Sequence, residues 1–244
     1  MNSIKNIAGR VAAVWGLLAF TGTLLVILIP VSLAGLAKEP ARSHLSQRIF
    51  NVWMSAFFVL SGVRRIIKGK ENFKPGENYV IVCNHNSFMD VPLTSGSIPG
   101  TIKTIAKIEM ARIPLFGIIY KRGSVLVNRK SERSRKESYL KMREVLKRGF
   151  HMCIYPEGTR NKGREPLQPF HDGAFRLSID AGKPVMPAVL FYTNTVLPRH
   201  KPFFFWPHRV EMHFLPPVMP DGKTAAELKA EVHEQMKKYY LEHR

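Results

Sequence analysis

Apolar residues recur along this 244-residue chain in changing rhythms. From Val11 to Ala37 they run without one charged residue, VAAVWGLLAFTGTLLVILIPVSLAGLA. A helix of that length, rising about 1.5 Å per residue, outreaches the roughly 30 Å hydrocarbon core of a bilayer. A second apolar and aromatic stretch, IFNVWMSAFFVLSGV (49–63), is too short to span comfortably. Two arrangements fit: a transmembrane helix followed by an interfacial one, or a helical hairpin dipping into one leaflet and bent near Pro30. Lys5 and Arg10 precede the apolar run and Lys38, Arg42 and Arg48 follow it, so flanking charge gives no firm orientation. A cleaved signal peptide is the plainer alternative, because SLA and GLA resemble cleavage sites, but the run is long for one.

After residue 62 the rhythm shortens. Runs rich in β-branched residues predict strands at 63–70, 78–84, 101–107, 123–129, 151–156, 185–192 and 209–215. Between them, SERSRKESYLKMREVLKRG (131–149) predicts a helix with Leu140, Val145 and Leu146 on one side and Gly149 as its stop. DGAFRLSIDAG (172–182) predicts another, ending at Gly182. The tail opens on the capping-box pattern Thr-Ala-Ala-Glu at Thr224 and continues as an amphipathic helix. Strands alternating with helices predict an α/β domain over 63–244, a mainly parallel sheet flanked by helices, preceded by membrane-associating helices over 1–62. In such sheets ligands bind at the carboxyl ends of strands.

Charge alters the picture next. Lys and Arg number 37 against 18 Asp and Glu, a formal net of +19, which favours anionic partners: nucleic acid, an anionic lipid surface or a phosphorylated substrate. The basic runs 129–136, 141–148 and 160–164 could track nucleic-acid phosphates, yet no helix-turn-helix, RRM or zinc-finger pattern accompanies them. Beside a membrane segment they fit anionic headgroups or an acidic substrate better, and nucleic acid is not expected as a partner. Cys83 and Cys153 both sit in apolar runs, as buried thiols of a reducing compartment do.

The strand-end rule directs attention to three places. In YVIVCNHNSFMD (79–90) a strand ends at His85, with Asp90 five positions on. A chain that reverses there can return the carboxylate to imidazole Nδ1, fix the tautomer and leave Nε2 free to take a proton. That is two-thirds of a catalytic triad with no nucleophilic serine between, so the substrate would bring the attacking hydroxyl. The alternative, a histidine capping a strand end and an aspartate capping a helix, stays open on this spacing alone. YPEGTR (155–160) carries a second signal: Gly158 permits a tight turn with free amides, and Thr159 and Arg160 add a hydroxyl and a guanidinium suited to a phosphate monoester. Glu157 would orient Arg160 or accept a substrate hydroxyl, and Arg129, closing GSVLVNR, can supply a second cation. A metal reading rests on Cys83-Asn-His85 and His151-Met-Cys153, which could form a Cys2His2 site on neighbouring strands, but the usual C-x2-4-C knuckles are missing. No metal is expected.

These segments resemble, in order and spacing, the conserved blocks of the glycerolipid acyltransferases. NHNSFMD resembles their NHxxxxD block, AKIEM (106–110) their AKxEL segment, GSVLVNR their GxxxxxR block, YPEGTR their FPEGTR block and VMPAVL the later proline-containing one. Tyr155 stands where Phe is usual, and Asn128 where Asp is common before the arginine. The resemblance covers roughly residues 60–220 and implies the family's α/β fold and an O-acyltransferase. His85, oriented by Asp90, would deprotonate the sn-2 hydroxyl of lysophosphatidic acid for direct attack on an acyl thioester, acyl-CoA or acyl carrier protein, without an acyl-enzyme. It further implies that Arg129, Glu157, Gly158, Thr159 and Arg160, with Lys107 as a weaker candidate, hold the acceptor's glycerol phosphate, and that no cofactor is needed beyond the thioester. Membrane lipids are the expected surroundings, at the cell inner membrane with the catalytic part facing the cytoplasm. Another lysolipid acceptor, such as a lyso-ornithine lipid, or a non-catalytic lipid-binding role are the competing expectations.

Overall fold

The computed structural model describes residues 3–163 and 165–243; Arg164, the end of the basic run 160–164, lies outside them. The apolar N-terminus forms one helix, α1 (Ser3–Ala34), with Pro30 inside it. A short loop leads to α2 (Ala41–Leu60), which begins well before the apolar stretch marked in the sequence. From there the chain alternates: β1 (Arg65–Lys68), β2 (Val80–Cys83), α3 (Asp90–Ser97), β3 (Ile102–Lys107), α4 (Phe116–Gly123), β4 (Ser124–Val127) and α5 (Glu132–Lys147). It continues through β5 (His151–Ile154), α6 (Gly173–Ala181), β6 (Val185–Phe191), α7 (Thr193–Val196), β7 (Val210–Phe214) and α8 (Ala225–His243). The helices α3, α4 and α7 have eight residues or fewer, too few turns for a periodic pattern to announce them.

The seven strands lie in the order β1-β7-β6-β2-β5-β3-β4. Five of them, β6 to β4, run parallel; β7 joins β6 antiparallel, and β1 pairs parallel with β7. The sheet is therefore mainly parallel with one reversal, and its centre is β2, the strand that leads to His85. Alternate residues of each strand feed two cores, as the period of two requires. Ile81, Cys83, Met186, Leu190 and Met212 face a layer built from α1, α2 and α3, through Phe50, Trp53, Phe57, Phe58 and Leu93. Val80, Val82, Met152, Val189 and Phe191 face α5, α6 and α8, through Met142, Leu146, Leu177, Leu228 and Val232. Full burial of each large aliphatic contributes about 1.5–3 kcal/mol.

Two helices show how local sequence and packing share the work. In α8 the capping box forms: Glu227 accepts from the Thr224 N–H at 2.8 Å, and Thr224 Oγ1 accepts from the Glu227 N–H at 3.3 Å. In α5 Ser131 caps the start, accepting from the Ser134 N–H, but the buried stripe is Ser138, Met142 and Leu146. Leu140 faces solvent, 62% exposed, because the sheet lies against the i, i+4, i+8 line through Ser138 rather than the line through Leu140.

α1 is long and apolar enough to cross a membrane, and its two sides differ. Gly9, Ala13, Gly16, Ala19, Leu24, Ile27 and Val31 turn inward. Ile7, Val11, Val14, Trp15, Leu18, Leu25, Ile29 and Leu33 are exposed. An apolar face of that extent on a helix suits lipid rather than water. α2 packs along α1, Trp53 Nε1 donating to Thr23 Oγ1 at 3.0 Å, while its own Phe50, Trp53, Phe57 and Phe58 close over the sheet.

Candidate active site

β2 ends at Cys83, and the buried Asn84 side chain extends its pairing by one residue. The Asn84 side chain donates to the Leu190 carbonyl at 3.0 Å and accepts from the Leu190 N–H at 2.7 Å, which ties β2 to β6 one residue beyond the strand. His85 follows at the carboxyl edge. Its peptide is clamped: the N–H donates to Glu157 Oε1 at 2.8 Å, and the carbonyl accepts from the Asn161 N–H at 2.6 Å.

The chain then turns back within five residues, and α3 starts at Asp90 itself, with Met89 at the cap position and no side-chain cap. Asp90 Oδ2 accepts three hydrogen bonds, from His85 Nδ1 at 2.7 Å, the Asn86 N–H at 2.7 Å and the Ser87 N–H at 2.8 Å. The carboxylate is fully buried, whereas the His85 side chain keeps 17% of its surface open. With Nδ1–H committed to Asp90, Nε2 is the basic nitrogen, and it has no protein partner among the described residues. Below it the Tyr155 ring stacks on the imidazole at 4.3 Å, and Tyr155 Oη meets Thr94 Oγ1 at 2.9 Å, which in turn donates to the Asp90 carbonyl at 3.0 Å. Tyr155 and Thr94 thus brace the pair from beneath, a role that the residue pattern did not signal.

The loop after β5 curls over the same edge. Gly158 has φ +70°, and a side chain there would also press on the His171 ring, so only glycine fits. Its carbonyl accepts from Arg129 Nη1 at 2.6 Å, which joins the end of β4 to this loop. Thr159 is exposed. The Arg160 guanidinium lies 3.6 Å over the Phe88 ring. Burial lowers its pKa, Arg199 lowers it further and Asp90 opposes both. Glu157 bonds backbone amides and not the Arg160 guanidinium. It is 3% exposed, and its second oxygen accepts from the Gln168 N–H at 3.1 Å. Burial raises its carboxyl to about 7, against the two amide hydrogen bonds, with Asp90 adding to the rise. Its contacts position the His85 peptide. Lys107 ends β3 at the same edge, exposed.

Beside this edge opens a cavity of about 600 Å³ between the sheet and the α1–α2 layer. Its walls are mostly apolar, among them Phe20, Phe50, Trp53, Phe116 and Ile119, while Phe88, Arg160 and Arg199 line its polar end. The aromatic run at 200–208 forms part of the wall: Phe205 donates its N–H to the Gly9 carbonyl at 3.0 Å, and the Phe204 ring fills the space a side chain at residue 9 would take. An apolar cavity lined by two guanidinium groups and by the loop between His85 and Asp90 can hold a hydrocarbon chain with a charged head.

The Cys83 and Cys153 thiols approach to 4.0 Å, both buried, on the paired strands β2 and β5. Their histidines do not converge. His85 lies beyond the carboxyl end of β2 and His151 at the amino end of β5, so the four side chains cannot surround one ion.

The arrangement defines an α/β protein whose candidate site sits at the carboxyl edge of a mainly parallel sheet, open to an apolar cavity. Residues 64–190 match the family model described as Acyltransferase, and the chain belongs to that family. It is 32% identical over 136 residues to the 1-acyl-sn-glycerol-3-phosphate acyltransferase of Borreliella burgdorferi, covering 55% of this chain and 54% of that protein. It is 30% identical to the mouse 1-acyl-sn-glycerol-3-phosphate acyltransferase alpha, covering 70% of this chain and 60% of that one. Against the Helicobacter pylori 1-acyl-sn-glycerol-3-phosphate acyltransferase it is 30% identical over 190 residues, 78% of each. The chain thus spans little more than half the length of the first two relatives. The fold is that of the crystal structure of the Thermotoga maritima 1-acyl-sn-glycerophosphate (LPA) acyltransferase PlsC, at 23% identity, TM-score 0.82 and coverage of 100% and 99%.

Proposed function

We propose that this protein transfers an acyl group from a thioester, acyl-CoA or acyl carrier protein, to the sn-2 hydroxyl of lysophosphatidic acid, giving phosphatidic acid at a membrane surface. The observation that carries this reading is the buried Asp90 carboxylate on His85 Nδ1 at 2.7 Å, with Nε2 unengaged on a loop whose Phe88 and Met89 line the apolar cavity. The relatives' activity toward 1-acyl-sn-glycerol 3-phosphate supports the choice of acceptor.

Nε2 takes the proton of the acceptor hydroxyl as its oxygen attacks the thioester carbonyl, and Asp90 stabilises the imidazolium that forms. Collapse of the tetrahedral intermediate expels the thiolate, which leaves as the thiol with the proton returned by the imidazolium. Two bound substrates react directly, so the protein needs no nucleophile of its own. Arg129 and Arg160 supply positive charge for the acceptor phosphate, and the glycine turn at 158 lets the loop approach it. Lys107 and Thr159 stand at the same edge as further contacts. The domain division at 62/63 and a cytoplasm-facing site on the inner membrane complete this reading, with the exposed face of α1 in lipid.

The test is an acceptor panel with labelled acyl-CoA and product identification. Phosphatidic acid from lysophosphatidic acid is the expected product. Acylation of a different lysolipid with none of lysophosphatidic acid would replace the acceptor named here.

A further inference from the structure

Among the strand ends at the carboxyl edge, that of β6 carries a residue that no sequence block marked. After α7 the chain is pinned to the His85 loop, the Leu197 carbonyl accepting from Ser87 Oγ at 2.8 Å. Two residues on, Arg199 donates its own N–H to Asn194 Oδ1 at 3.2 Å. Its half-buried guanidinium reaches across, with Nη1 3.4 Å from the carbonyl oxygens of both Arg160 and Asn161. Asn161 is the residue whose N–H holds the His85 carbonyl. Arg199 is therefore two hydrogen bonds from the His85 backbone, and it shares the polar end of the cavity with Arg160.

Cations outnumber carboxylates two to one here, so an unpaired arginine means little alone. Convergence sets this pair apart. Four other arginines, Arg133, Arg148, Arg176 and Arg209, sit within 4.0 Å of a carboxylate. Arg160 and Arg199 face each other closely enough that one depresses the other's pKa, and neither guanidinium has such a partner among the described residues. Holding two like charges together over an apolar cavity costs free energy that a bound dianion would offset.

We propose that Arg199 is a second guanidinium ligand, with Arg160, for the phosphate monoester of the acceptor, and that the pair selects acceptors by headgroup charge. The proposal rests on the acceptor reading above. Acyl-CoA also carries phosphates, but they lie a pantetheine arm away from the thioester. In lysophosphatidic acid the phosphate ester is on the carbon next to the reacting hydroxyl. A phosphate held two hydrogen bonds from the His85 backbone fits the acceptor.

The experiment uses the full chain with lysophosphatidic acid and acyl-CoA varied in turn, for wild type, R199Q and R199K. Arg199→Gln raises KM for lysophosphatidic acid on the order of 10- to 100-fold, leaves KM for acyl-CoA unchanged and lowers kcat less than threefold, and Arg199→Lys recovers part of the loss. An unchanged KM for lysophosphatidic acid overturns the proposal, as does a rise in KM for acyl-CoA instead. A loss in R199K equal to that in R199Q overturns it too, because a structural prop would then explain both. If wild type makes no phosphatidic acid, the acceptor reading falls and takes this proposal with it; if wild type does and R199Q matches it, only the proposal falls.

Discussion

His85 and His151 stand at the ends of neighbouring parallel strands, each two residues from a cysteine, and they live in opposite surroundings. His85 follows β2 at the carboxyl edge, holds a buried carboxylate and keeps an open nitrogen. His151 starts β5 at the amino edge, 6% exposed. Its Nδ1 accepts from the Tyr79 N–H at 3.0 Å, and its ring packs against Tyr79 and Phe73. Burial pushes its pKa down to about 4, so it is neutral at physiological pH. The difference follows from strand direction: Cys-x-His runs out of the sheet and His-x-Cys runs into it. At the carboxyl edge the loops diverge and leave a crevice, whereas at the amino edge aromatic side chains seal the sheet.

The largest effect expected is at the open end. His85→Ala removes the base and lowers turnover by about 10²–10⁴-fold, read as thiol release from acyl-CoA, while membrane binding persists. His151→Gln, which keeps an acceptor for the Tyr79 amide, leaves turnover within about threefold. Equal losses in the two variants would erase the functional contrast between them. Asp90→Asn comes next: the amide can present a donor to Nδ1 and favour the wrong tautomer, lowering kcat by about 10²–10³-fold with KM for the acceptor little changed.

Smaller effects separate the two ends by pH. Unfolded, His151 takes a proton below about 6.5; folded, it stays neutral to about pH 4. Between those values the unfolded chain holds more protons, so stability falls as pH falls, by up to about 3 kcal/mol. Glu157 acts in the opposite direction. Its carboxyl titrates near 4.5 unfolded and at about 7 folded, so between them the folded chain holds more protons and stability falls as pH rises, by up to about 3 kcal/mol. Urea midpoints measured from pH 4.5 to 7.5 should show His151→Gln lacking the acid loss and Glu157→Gln lacking the loss toward neutral. Unaltered slopes in both would refute this account of the two ends.

Much of the fold could be read from periodicity. Each strand run contains its strand, because β-branched residues bounded by Gly, Pro and Asn leave few alternatives. Gly182 with φ +58° and the Thr224 box end and start helices where expected, since caps are local chemistry. The rest was not local. Leu140 lies outward because a sheet chose one line of α5 over another. Glu157 serves backbone amides from residues 85 and 168, partners that a motif at 155–160 does not contain. Arg199 belongs to the site only because β6 lies beside β2.

By itself, the sequence determined the apolar N-terminus and the α/β alternation, and it marked His85, Asp90 and the glycine turn at 158, all written in spacings of a few residues. Tertiary structure alone decided which of the two histidines stands open and which is sealed. It also placed the α1–α2 layer over the sheet to enclose a cavity, and brought Arg199 from beyond β6 to Arg160. The physical reason is one of range. Turns, caps and strands answer to neighbours along the chain, whereas burial, desolvation and convergent charge answer to neighbours in space.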